Sequence, residues 1–68
     1  MVQLNTSKRG NKVDYFNPLV IAKVSERDDG YVFLDITGGS RITSWTIYED
    51  IEIVVSRINE AMNGTATG

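Results

Sequence analysis

Four groups of residues in this 68-residue chain have types and spacing that could support chemistry: Asp28-Asp29, Gly38-Gly39-Ser40-Arg41, the cations Lys8, Arg9 and Lys12, and the aromatics Tyr31, Phe33 and Trp45. Paired carboxylates suggest a cation site. Asp28-Asp29, however, lacks the spaced oxygen ligands and closing Glu of a calcium loop, and followed by Gly30 it is explained as a hairpin turn. Gly38-Gly39-Ser40-Arg41 has the residues of an anion cradle. A phosphate loop needs its amides to lead into a helix N-terminus, and here the pattern continues as a strand. Lys8, Arg9 and Lys12 surround Gly10 in a basic turn that could touch phosphates or simply be solvated. With no His and no Cys, the usual general base and the strongest nucleophile are missing, and no titratable pair marks an enzyme. The expectation is a non-enzymatic protein without cofactor or metal.

The aromatics depend on strand register. Tyr31 to Thr37 alternates Val32, Leu34 and Ile36 on one face with Tyr31, Phe33 and Asp35 on the other, the pattern of a half-buried strand. Upstream, Leu19 to Glu26 is joined to it through Asp28-Asp29-Gly30, a three-residue loop with Gly in the left-handed position. That loop pairs Arg27 with Tyr31, Ser25 with Phe33, Val24 with Leu34, Lys23 with Asp35 and Ala22 with Ile36. A second three-residue loop, Gly38-Gly39-Ser40, pairs Ile36 with Ile42, Asp35 with Thr43, Leu34 with Ser44 and Phe33 with Trp45. Tyr31, Phe33 and Trp45 then share the face opposite the helix, with Leu19 and Ile21 at one edge and Lys23, Arg27 and Arg41 around them.

Thr46-Ile47-Tyr48-Glu49 matches a capping box, which predicts a helix over about 47–62 whose stripe is Ile47, Ile51, Val54, Val55, Ile58 and Met62. Asn63-Gly64 supplies a stop, and residues 65–68 read as a disordered tail. The stripe is expected to pack on Val20, Ala22, Val24, Val32, Leu34, Ile36 and Ile42. Ile53 projects roughly 160° from the stripe, where it could form a small apolar anchor rimmed by Glu49, Glu52 and Glu60. Val2-Gln3-Leu4 and Val13-Asp14-Tyr15-Phe16 predict a further hairpin around the basic turn, and Asn17-Pro18 a turn after it.

Seven basic residues balance nine acidic ones, unlike a polybasic nucleic-acid binder. The lack of Cys and of any long apolar run predicts a cytoplasmic protein without membrane insertion. A domain this short buries only about 60% of its unfolded surface, so a second apolar face matters.

In order, Met1-Val2-Gln3-Leu4, a turn containing Gly10, Tyr15-Phe16-Asn17-Pro18, the Ile21-to-Glu26 strand, the Leu34-to-Gly39 strand and turn, and the Thr46-to-Ile58 helix resemble the FlbD-like family of small flagellar and swarming-motility proteins. Thr37-Gly38-Gly39 stands at the family's Thr-x-Gly hairpin and Glu49-Asp50-Ile51 at the acidic opening of its helix. The resemblance covers most of the chain and implies a non-enzymatic motility or interaction protein with no catalytic residues. Trp45 and the basic turn lie outside its pattern.

The sequence thus predicts one α+β domain over residues 1–64: an antiparallel sheet of four to five short strands with a C-terminal helix on one face. Its expected role is a regulatory module that binds another protein through the aromatic face, as a bacterial motility accessory or a phage accessory or inhibitor protein. Self-association into a homodimer is one form of that contact. The alternative is a weak single-stranded nucleic-acid binder that stacks bases on the same face, and a third reading has the N-terminal hairpin covering the face internally.

Overall fold

The computed structural model describes residues 1–67, and side chains through Asn63. It is a small α+β fold with five strands and one C-terminal helix, the strands forming two antiparallel sheets rather than one. β1 (Val2–Asn5) pairs with β2 (Val13–Phe16) around the basic turn, as the alternation predicts. Asn17 Oδ1 then accepts the Leu19 N–H at 3.0 Å and opens a 3-10 turn at Pro18–Val20, where proline's fixed φ suits the first position. The second sheet has the order β3 (Ile21–Glu26), β4 (Val32–Gly38), β5 (Arg41–Ile47).

The first hairpin closes as expected. The Arg27 N–H donates to the Tyr31 carbonyl and the Gly30 N–H to the Arg27 carbonyl, both at 2.9 Å. Gly30 holds φ at 88°, a conformation that glycine adopts without a Cβ clash. Lys23, Val24 and Ser25 meet Asp35, Leu34 and Phe33. Beyond Lys23 the register shifts, and Ile21 rather than Ala22 faces Ile36. This bulge brings the larger side chain to the core and leaves Ala22 exposed.

The second hairpin corrects the expected register. Gly38 pairs with Arg41, so the loop is the two residues Gly39-Ser40, and Leu34 meets Trp45 while Phe33 meets Thr46. Gly39 alone in this loop has positive φ, 62°, the requirement of a type II′ turn with Gly at its first central position. A one-residue change of register turns every β5 side chain to the other face. The observed register sends Trp45 and Ile47 inward and Ile42 outward, whereas the expected one would have placed Ser44 against Leu34. Burying Trp and Ile outweighs exposing one Ile, since apolar area sets the driving force. Ile42 is accordingly 67% exposed.

Ile47 ends β5 and is buried, so the capping box does not form and the helix starts four residues late. In α1 (Ile51–Thr67) the Val54 N–H donates to the Asp50 carbonyl at 3.1 Å, which makes Asp50 the residue that opens the first turn. The expected stop at Asn63-Gly64 is absent, the helical backbone continuing to Thr67. The expectation for residues 65–68 falls on positions whose side chains, and for Gly68 whose backbone, lie outside the described residues. The buried stripe is Val54 and Ile58, flanked by Ile51 and Ala61. Val55 and Met62, expected in the stripe, are exposed.

Val2, Leu4, Phe16, Val32, Leu34, Ile47, Val54 and Ile58 form one core. Both the β1–β2 pair and α1 therefore pack on the same face of the three-stranded sheet. The reading in which the N-terminal hairpin covers the opposite face is thereby corrected. Val2, Leu4 and Phe16 alternate onto the inner side of their pair and complete a core that the helix alone would leave open.

Candidate functional site

Register determines what the outer face of the three-stranded sheet presents. Alternation places Lys23 and Ser25 of β3, Phe33, Asp35 and Thr37 of β4, and Ile42, Ser44 and Thr46 of β5 on that side. Tyr31 and Tyr48 extend the surface at one end, their rings meeting edge to face with centroids 6.2 Å apart. Phe33 is half-buried, and the Arg27 guanidinium carbon lies 5.4 Å from its ring centroid, a cation–π contact that holds the cation over the aromatic. Tyr31 is 41% exposed.

Of the expected aromatic trio, the structure brings Tyr31 and Phe33 to this face together with Arg27 and Lys23. Trp45 is the correction. It lies on the inner face, half-buried, with its ring edge-on to Phe16 at 5.3 Å between centroids. Leu19 is exposed on the 3-10 turn, and Ile21 is packed against the core instead of rimming the aromatic surface. Arg41 is exposed at the Gly39-Ser40 turn, far along the strand from Tyr31.

Two outer-face positions were not anticipated: Ile42, expected in the core, and Tyr48, expected in the helix. One signal could have found both. Ile47 has the same parity as Trp45, and counting Ile47 as strand favours the register that buries the pair. The capping-box match removed it from that count.

A side-chain hydrogen bond joins polar groups across this face. Ser44 Oγ donates to Asp35 Oδ1 at 2.7 Å, and Lys23 stands opposite Asp35 across the β3–β4 ladder. Asp29 Oδ1 accepts the Tyr31 N–H at 3.1 Å, which fixes the turn beside the aromatic pair. A shallow depression there is lined by Asp29, Gly30, Tyr31, Ile47, Tyr48, Glu49 and Asp50. Glu49 is already used. Its carboxylate accepts the Asn5 N–H at 2.9 Å and two contacts from Arg57 Nη1 at 2.7 Å, while Arg57 also donates to the Gln3 carbonyl at 3.1 Å. This network ties β1, the β5–α1 connection and the helix together.

Ile53 is 43% exposed on the far side of α1, in a shallow groove with Glu52, Ser56, Arg57 and Glu60. Arg57 is drawn to Glu49, and Glu52 and Glu60, which make no ion pair among the described residues, leave an acidic rim around Ile53. Lys8, Arg9 and Lys12 are exposed in the β1–β2 turn and make no ion pair among the described residues.

Among the described residues no group of three or more His, Cys, Asp or Glu side chains could hold a metal ion, and no helix is long and apolar enough to cross a membrane. No protein-family model, curated protein or solved structure matches the chain.

Proposed function

We propose that the chain is a small non-enzymatic interaction protein that binds another protein through the outer face of its three-stranded sheet. The observation that carries this reading is the placement of Tyr31 and Phe33, with Arg27 stacked on Phe33, on the sheet face opposite the shared core. A preorganised aromatic and arginine surface supplies the residue types that dominate interface energetics at little ordering cost. Lys23 and Ile42 extend the contact surface, and Ile53 with its acidic rim is a separate, smaller one. The setting is cytoplasmic, and the role is that of a bacterial motility accessory, as the FlbD-like resemblance suggests, or of a phage accessory or inhibitor protein. Nucleic-acid stacking is the weaker reading, because the inward Trp45 takes the largest ring off this face and seven basic residues are outnumbered by nine acidic ones.

Affinity purification of the tagged chain from its host, with Phe33→Ala and Tyr31→Ala in parallel, tests the proposal. A defined protein retained by the native chain and lost from both variants, at unchanged melting temperature, is the expected result. Retention of the same protein by both variants would overturn the assignment of the face. Oligonucleotide binding that weakens steeply with salt and disappears when Lys8, Arg9 and Lys12 are changed to Ala would instead establish the nucleic-acid reading.

A further inference from the structure

The outer edge of β5 is a second surface, which borders the sheet face and shares Ile42 with it. β5 pairs with β4 on one side only. In a two-residue hairpin the pair that closes the loop, here Gly38 and Arg41, is hydrogen-bonded, and hydrogen-bonded positions then recur every second residue. Arg41, Thr43, Trp45 and Ile47 therefore use their backbone groups toward β4. Ile42, Ser44 and Thr46 direct theirs away from it. The next residue of that parity, Tyr48, donates its N–H to the Asn5 carbonyl at 2.9 Å, so β1 closes the edge at that point. From Ile42 to Thr46 no strand among the described residues is hydrogen-bonded to this outer side.

Natural edge strands are blunted by Pro, bulges, covering segments or inward-pointing charge. Between Ile42 and Thr46 β5 shows no Pro, no bulge and no charge, and Arg41 at its end is its one charged residue. Residues 41 to 44 are all exposed, and Ile42 is among the most exposed large apolar side chains of the chain.

We infer that this edge is the contact between two copies of the chain, with β5 pairing antiparallel to its two-fold mate about Ser44 and joining two three-stranded sheets into one of six. The edge is self-complementary. In this register Ser44 meets the partner's Ser44, Ile42 meets the partner's Thr46, and Arg41 meets the partner's Ile47. No like charges face each other, the exposed Ile gains a β-branched neighbour, and all three open positions form reciprocal backbone pairs. The small net charge of −2 opposes association only weakly.

The first test is hydrogen exchange on the native chain at low and high concentration, with sedimentation on the same samples. The Ile42, Ser44 and Thr46 amides are expected to become protected as the dimer forms, while the Thr43, Trp45 and Ile47 amides are protected throughout. Equal exchange at 42, 44 and 46 in monomer and dimer, or a monomer at every concentration, would overturn the inference. The register is tested by charge. Ile42→Lys with Thr46→Lys sets like charges opposite one another twice and is expected to weaken the dimer at least about tenfold. Ile42→Lys with Thr46→Glu makes each of those pairs complementary and is expected to restore it. Equal weakening by both double variants would refute the pairing about Ser44. Loss of heterologous binding in Phe33→Ala leaves this result unaffected, since Phe33 is on β4 and away from the edge.

Discussion

Trp45→Ala separates the observed β5 register from the alternative most directly. In the observed register the ring is half-buried against Phe16 and the core. An aromatic side chain buries roughly 150–250 Å² when enclosed. If truncation at this half-buried site removes about 100 Å² of apolar contact, the loss at roughly 25 cal/mol per Å² is about 2.5 kcal/mol. Losing the edge-on partner adds about 0.5–1.5 kcal/mol, for a total of about 3–4 kcal/mol. Against an expected stability of roughly 3–10 kcal/mol for a domain of this length, the variant is severely weakened or unfolded at 37 °C. Urea denaturation followed by circular dichroism checks this without the lost fluorophore. At a slope of about 1 kcal/mol per M, the midpoint is expected to fall by about 3 M, or the transition to lose its folded baseline. A stable variant with a midpoint within about 0.5 M of the native value would mean that Trp45 does not belong to the core and that the register is wrong. Native Trp45 emission is correspondingly expected to be blue-shifted at every protein concentration.

The remaining predictions concern the connections. Glu49→Ala removes the acceptor for Arg57 and for the Asn5 amide from a side chain only 16% exposed. It is expected to cost about 1–2 kcal/mol, moderated because Arg57 is 44% exposed and partly screened. A double-mutant cycle with Arg57→Ala, read as melting temperature, is expected to show positive coupling, and additivity would refute the network. Gly39→Ala meets no atom within 4 Å but must hold positive φ, so it is expected to cost about 1–2 kcal/mol and lower the melting temperature by about 5–15 °C. Gly38→Ala, with ordinary φ and open space, is expected to stay within about 0.5 kcal/mol of the native chain. Equal effects at the two glycines would exclude the two-residue turn.

The sequence alone determined the elements whose signals are local. Alternation in Val32, Leu34 and Ile36, the Asp28-Asp29-Gly30 loop and the apolar recurrence through Val54 and Ile58 each arise from one chain segment's own geometry, and each is present in the structure. It also showed that the chain has neither His, the most frequent general base, nor Cys, the strongest nucleophile. What the tertiary structure decided was parity. Whether Gly38 belongs to the turn or to the strand is a small local difference, yet it chooses which half of β5 faces inward. That choice was made by the space beside Phe16 and Leu34, which Trp45 and Ile47 fill together. The same non-local demand kept Ile47 in the strand, overrode the capping box at Thr46 and diverted Glu49 to Asn5 and Arg57. Burial is shared among segments distant in sequence, so the outer face and the open edge of β5 could be read only after the core had taken its residues.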